Sequence, residues 1–136
     1  MTTLNPDNDA ELIALAVSMC KKAYAPYSAY AVGAAIRTET GNIYGGCNVE
    51  NASYGLSNCA ERTAVFSAVA QGERIITEVA VATEDGGSPC GACRQVLWEF
   101  APKDGSPLRV LMADKNGTLI RETTIVELLP EAFVLR

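Results

Sequence analysis

Residues 59–97 read CAERTAVFSAVAQGERIITEVAVATEDGGSPCGACRQVL, and the order of elements in this stretch decides the fold. CAERTAVFSAVA (59–70) reads as a helix that stops at Gln71-Gly72. IITEVAVAT (75–83) is a short apolar run with β-branched residues, the pattern of a buried strand. A Gly-Gly-Ser-Pro turn leads to Cys90, and just beyond it Val96, Leu97 and Phe100 form the apolar stripe of a second helix.

Working outward from this stretch, Asn5-Pro6 opens an N-terminal helix in which Leu12, Leu15, Met19 and Ala23 recur at helical spacing. Ala25-Pro26-Tyr27-Ser28 breaks it. Residues 31–38 and 42–49 read as strands joined by a turn at Glu39-Thr40-Gly41. On the other side, residues 108–113 and 118–121 flank Asn116-Gly117, a strong short hairpin signal. Thr124-Ile-Val-Glu127 matches a capping box and opens a last short helix ending at Pro130. The order α-β-β-α-β-α-β-β-α predicts an α/β fold, a sheet with helices on both faces. Residues 1–136 form one expected domain, with no internal repeat, low-complexity tract or linker.

A chain of 136 residues buries roughly two-thirds of its unfolded surface and needs no disulfide staples. Hydrophobic residues make up 49% and charged residues 20%, which argues against disorder. No apolar run approaches the ~20 residues of a membrane span. Met1 to Asp9 is polar and acidic and lacks the order of a secretion signal, so the expected location is cytoplasmic. Eleven basic residues face 16 acidic ones, for a net charge of −5. That balance disfavours a nucleic-acid partner, which needs Lys and Arg to displace counterions, but leaves a small neutral substrate open.

Five cysteines stand at 20, 47, 59, 90 and 93, and histidine is absent. An odd count without an export signal reads as reduced thiols or metal ligands. The lack of histidine removes Ser-His and Cys-His nucleophile pairs and every His metal site. Chemistry must then come from carboxylates, thiolates or a metal held by them. Cys59-Ala60-Glu61-Arg62 and Pro89-Cys90-Gly91-Ala92-Cys93-Arg94 each begin a predicted helix. Unpaired N–H groups and the helix dipole favour thiolates there. Two such ends aimed at one place present Cys59, Cys90 and Cys93 to one cation, and Zn²⁺ suits three sulfurs best. Three protein ligands leave a position for water, as catalytic zinc requires. Glu61, in the first helical turn, has the placement of a general base for that water. Other readings stay open at this point. Cys90 and Cys93 also match a redox pair, and Cys47 as a fourth ligand makes a purely structural zinc. Cys20 lies near the apolar face of the first helix and reads as core.

Zinc deaminases of bases carry His-x-Glu, or its cysteine version, followed by Pro-Cys-x-x-Cys. Cys59-Ala60-Glu61 and Pro89-Cys90-Gly91-Ala92-Cys93 are the three-cysteine form. With Ala25–Ser28, Val32–Ala35, Gly46–Asn51, Cys59–Thr63, Pro89–Gln95 and Glu127–Pro130, the chain resembles the cytidine deaminases of the small homotetrameric three-cysteine zinc type. The resemblance implies a three-layer α/β/α fold with a mixed five-stranded sheet, and one Zn²⁺ per chain on Cys59, Cys90 and Cys93. It implies hydrolytic deamination of cytidine and deoxycytidine for pyrimidine salvage, with Glu61 moving the protons. Asn48 and Glu50 are expected to hold the sugar, which alternation along a strand allows. Tyr30, where the family usually has Phe, and Ala60 are expected at the pyrimidine. Ala52, Tyr54 and Phe133 match positions lent to neighbouring active sites in a homotetramer. Three thiolates on one Zn²⁺ leave a formal negative charge, which Arg62 and Arg94 are expected to offset. The nearest rival is a deaminase of another aminopyrimidine nucleoside such as blasticidin S.

Overall fold

The computed structural model describes residues 6–135. Its elements are α1 (Pro6–Cys20), β1 (Gly33–Thr38), β2 (Ile43–Cys47), a 3₁₀ turn (Tyr54–Leu56), α2 (Ala60–Ala70), β3 (Ile76–Thr83), α3 (Gly91–Glu99), β4 (Arg109–Asp114), β5 (Leu119–Thr124) and α4 (Ile125–Leu128). The expected element order holds, with boundaries shifted by a few residues. Asn5 lies outside the described residues, and Ala23 falls past the end of α1 because the helix stops at Cys20. The last helix ends at Leu128, before Pro130.

One mixed five-stranded sheet runs in the order β2-β1-β3-β4-β5. β1 pairs antiparallel with both β2 and β3, and β4 pairs antiparallel with β5. Only β3 and β4 are parallel, because α3 carries the chain back between them. The hairpin β4–β5 closes where the sequence signal lies. Gly117 adopts φ +86°, and Asp114 accepts from the backbone N–H groups of Asn116 at 2.9 Å and Thr118 at 3.0 Å.

Side-chain alternation sorts the sheet into two faces. Ala34, Ile36, Val79, Val81, Val110 and Met112 pack with Ala60, Ala64, Val65, Ala68 and Leu97 of α2 and α3. Ala35, Ala80, Ala82, Leu111 and Ala113 face Leu12, Ile13 and Ala16 of α1. Three layers result, with alanines paving much of the α1 side so that this helix lies close to the sheet. Cys20 belongs to that side, half-buried with its thiol on Ala82 O at 3.0 Å, as its core reading requires.

On the other side α2 also comes into backbone contact with the sheet. A Cβ on Gly46 would sit 2.4 Å from Ala64 N and 2.6 Å from Ala60 O. Glycine therefore lets β2 press directly on the backbone of α2. That contact fixes the depth of the helix whose first turn holds the chemistry.

Candidate active site

Cys59 caps the N-terminus of α2 and Cys90 caps that of α3, both with extended backbone dihedrals. Cys93 lies one turn further along α3, fully buried. The two helix ends converge. Cys59 and Cys90 sulfurs are 3.8 Å apart, those of Cys90 and Cys93 3.5 Å, and all three lie within 4.8 Å of one another. Tetrahedral Zn–S bonds of about 2.3 Å need sulfurs roughly 3.8 Å apart, so the donor set fits zinc. Among the described residues this is the only such cluster, and Cys47 is not part of it. Its thiol turns to Lys22 O at 3.5 Å, which removes the fourth ligand of a closed structural site.

Electrostatics follow from the same convergence. Cys59 is pulled down to about 5 by hydrogen bonding from Cys93 and, beyond that, by Arg62. The Cys93 thiol is pushed up, because Cys59 holds its proton in place and burial disfavours a second charge. Arg62 Nη2 donates to the Cys59 sulfur at 3.3 Å, while its buried Nε–H has no partner. Its guanidinium thus sits against the thiolates. Arg94 does not: its hydrogen bonds run to Pro89 O, Ser88 Oγ and Leu128 O.

Glu61 is buried in the first turn of α2, two residues after Cys59. Burial pushes its carboxyl up to about 7, and the nearby Cys59 charge adds to the rise. A carboxyl raised by burial in this way suits a group that both takes and gives a proton.

A cleft of about 870 Å³ opens onto these groups, and Cys59, Glu61, Arg62 and Cys90 line its floor. Tyr30, Asn48, Glu50, Ala52 and Tyr54 line its walls. Asn48 and Glu50 lie just past β2, and both side chains reach the loop 27–32, as strand alternation predicts. Asn48 accepts from Val32 N at 2.9 Å and donates to Tyr30 O at 2.9 Å. Glu50 accepts from Tyr27 N at 2.9 Å, Ser28 N at 3.1 Å and the Ser28 hydroxyl. The Ser28 hydroxyl and the two amides hold the Glu50 carboxyl below its usual range. Within this loop Ala29 takes φ +58°, a left-handed conformation costly for alanine and fixed by its anchored neighbours. Tyr30 donates its hydroxyl to Asp85 at 3.0 Å.

Two expected residues lie elsewhere. Ala60, the first residue of α2, is wholly buried and does not line the cleft. Phe133 is 68% exposed and off the cleft of its own chain, its backbone held by Gln95. Tyr27, Ser28, Asn58, Thr83 and Ser88 line the cleft without having been singled out for it. Pro26-Tyr27-Ser28 stood out as a helix breaker and as part of a segment carrying the resemblance, without a role in the cleft. Asn58 directly precedes Cys59, which is its one sequence cue.

Comparison with known proteins gives the arrangement relatives. Residues 6–105 match the family model of the cytidine and deoxycytidylate deaminase zinc-binding region. A cytidine deaminase of Sporosarcina psychrophila is 49% identical over 125 residues, 90% of this chain and 89% of that one. A crystal structure of cytidine deaminase from Burkholderia pseudomallei is 51% identical with a TM-score of 0.80, covering 90% of this chain and 97% of that one. A blasticidin-S deaminase of Bacillus cereus is more distant, 31% identical over 141 residues and 96% of each chain.

Proposed function

The chain belongs to the zinc-binding cytidine deaminase family, and we propose that it hydrolyses cytidine and deoxycytidine to uridine and deoxyuridine with release of ammonia. The observation that carries the reading is the buried Glu61 carboxyl beside three convergent sulfurs with no fourth protein ligand among the described residues. Zinc, when bound by Cys59, Cys90 and Cys93, supplies an acidified water as nucleophile toward C4 of the ring. With zinc so held, Glu61 would take one proton from the water and pass it to N3 as the oxygen bonds to C4, then take the second proton from that oxygen and pass it to the amino group, so that the carbonyl forms, the C4–N bond breaks and ammonia departs. Arg62 steadies the thiolate charge through Cys59. The walls orient the nucleoside. Asn48 and Glu50 receive the sugar, with Glu50 accepting from a ribose hydroxyl through lone pairs left beside the loop it anchors. Tyr30, on the cleft wall, bounds the pyrimidine.

The oligomer belongs to the same proposal: a homotetramer in which Phe133 serves a neighbouring site, while Ala52 and Tyr54, on the wall of their own chain's cleft, lie where a neighbour would close over it. The exposure of Tyr54, Leu56, Phe133 and Leu135 supports it, since such apolar groups seek cover. The chain works as one domain, supported by a single sheet that takes strands from both halves. Pyrimidine salvage in the cytoplasm is the fitting role, and no helix among the described residues is long and apolar enough to cross a membrane.

The test is a panel of zinc-loaded protein with cytidine, deoxycytidine and blasticidin S, scored by ammonia release. Turnover of the two nucleosides at far higher kcat/KM than blasticidin S is the expected result. Turnover of blasticidin S alone would reverse the substrate assignment.

A further inference from the structure

Arg94 directly follows Cys93, yet its three hydrogen bonds pass the sulfurs by. Nε donates to Pro89 O at 2.8 Å, Nη2 to Ser88 Oγ at 2.7 Å, and Nη1 to Leu128 O at 2.9 Å. The first two acceptors belong to the turn that delivers Cys90, and the third closes α4. Gln95, the next residue, clasps the C-terminal segment in both directions. Its Nε2 donates to Phe133 O at 3.1 Å, and its Oε1 accepts from Phe133 N at 3.1 Å. Two adjacent side chains of α3 thus moor residues 128–133 to the turn carrying a zinc ligand.

The planar guanidinium fork suits this task, because it offers fixed donors to three acceptors at once. An ammonium cannot reproduce that geometry. Cys90 is also the most exposed of the three cysteines, the side on which a competing chelator would meet the site. Whatever stiffens the 88–90 turn stiffens that cysteine.

We propose that Arg94 is a positioning residue that fixes the Ser88–Cys90 turn against the end of α4 and thereby sets how long Cys90 holds zinc. The proposal rests on zinc being bound by Cys59, Cys90 and Cys93, which the zinc content of the parent protein checks separately.

The experiment loads the full chain with zinc and adds excess chromophoric chelator, following release at a temperature where circular dichroism stays that of the folded chain. Arg94→Met is expected to release zinc at least ~10-fold faster, the scale seen when groups that orient a metal ligand are lost. Arg94→Lys is expected to release nearly as fast as Arg94→Met, because charge alone does not rebuild the fork. Ser88→Ala, which removes one acceptor, and Gln95→Ala, which frees the tail, fall between. A merely structural arginine would lower Tm and leave release from the folded chain unchanged, and that result overturns the proposal. A parental rate in Arg94→Lys alongside fast release in Arg94→Met overturns it too, since charge would then be the agent. If Arg94→Met does not fold, parental rates in both Arg94→Lys and Ser88→Ala refute it. A parent that cannot be loaded with zinc refutes the ligand set on which the proposal rests.

Discussion

Adjacent glycines on β2 provide a matched pair for testing how the sheet positions the active site. A Cβ on Gly46 would lie 2.4 Å from Ala64 N, 2.6 Å from Ala60 O and 2.9 Å from Ala64 Cα, all backbone atoms of α2. Non-bonded heavy atoms settle near 3.5–4.0 Å, so Gly46→Ala must drive the helix back by roughly 1 Å. Overpacking of that kind costs about 1–3 kcal/mol. At roughly 4 °C per kcal/mol for a domain of this size, Tm should fall by about 4–12 °C. The larger effect is on rate, because Cys59, Glu61 and Arg62 all ride on the first turn of α2. A 1 Å misplacement of such groups costs on the order of 10²-fold in turnover. Gly45→Ala is the control. Its Cβ points to the other face and meets the Met19 side chain, Cγ at 2.9 Å and Sδ at 3.0 Å, which can swing aside. Steady-state kinetics and thermal melts of both variants decide the matter. Equal kcat/KM in Gly46→Ala and Gly45→Ala would refute the argument that β2 sets the position of the catalytic helix.

Three further outcomes follow from named contacts. Arg109 is buried and paired with Asp9, Glu78 and Glu122 at 2.6–3.0 Å, so among the described residues Arg109→Ala leaves Asp9 and Glu122 facing no cation and Glu78 only Arg37 at 3.5 Å. It should cost about 3–5 kcal/mol by urea titration. Lys115→Ala, which breaks only the exposed pair with Glu84, should cost less than about 1 kcal/mol, and equal losses would contradict this account. Arg62→Gln removes the guanidinium that donates to Cys59, and kcat should fall about 10-fold or more with the fold intact by circular dichroism. An unchanged kcat would show that the thiolate charge needs no such partner. Glu50→Gln takes one acceptor from the Ser28 hydroxyl and the charge from the sugar site. KM for cytidine should rise about 10-fold or more, with kcat less affected, and an unchanged KM would remove Glu50 from substrate binding.

The convergence of Cys59, Cys90 and Cys93, with Glu61 beside them, was legible because helix-start chemistry is local. A cysteine that caps a helix declares its direction, and two such caps flanking a buried strand have few ways to avoid meeting. Cys47 could be set aside only in three dimensions, since nothing in its neighbours announces that its thiol turns to Lys22. Arg94 shows the limit from the other side. Its adjacency to Cys93 suggested charge compensation, but neighbours in a helix point about 100° apart, and its fork found Pro89, Ser88 and Leu128 instead. Asn48 and Glu50 share a side, as alternation along an extended segment demands, yet the 27–32 loop that fills their reach comes from 20 or so residues away and leaves no local trace. In the fold, the parallel β3–β4 pair was implicit in the helix between them. The antiparallel β1–β3 neighbours, joined across α2, were not, because strand order is set by long-range packing. The hairpin at Asn116-Gly117 is the opposite case, a local backbone preference that survives into the structure unchanged.

The central claim is that one buried carboxylate beside a three-cysteine zinc site moves the protons of cytidine hydrolysis. Zinc-loaded parent and Glu61→Ala should be compared on cytidine, following the ultraviolet change on conversion to uridine, with zinc content and circular dichroism measured on both. The account predicts turnover by the parent and a loss of at least ~10²–10⁴-fold in the variant, which keeps its fold and its zinc. A folded, zinc-bearing Glu61→Ala that still converts cytidine at the parental rate would contradict it.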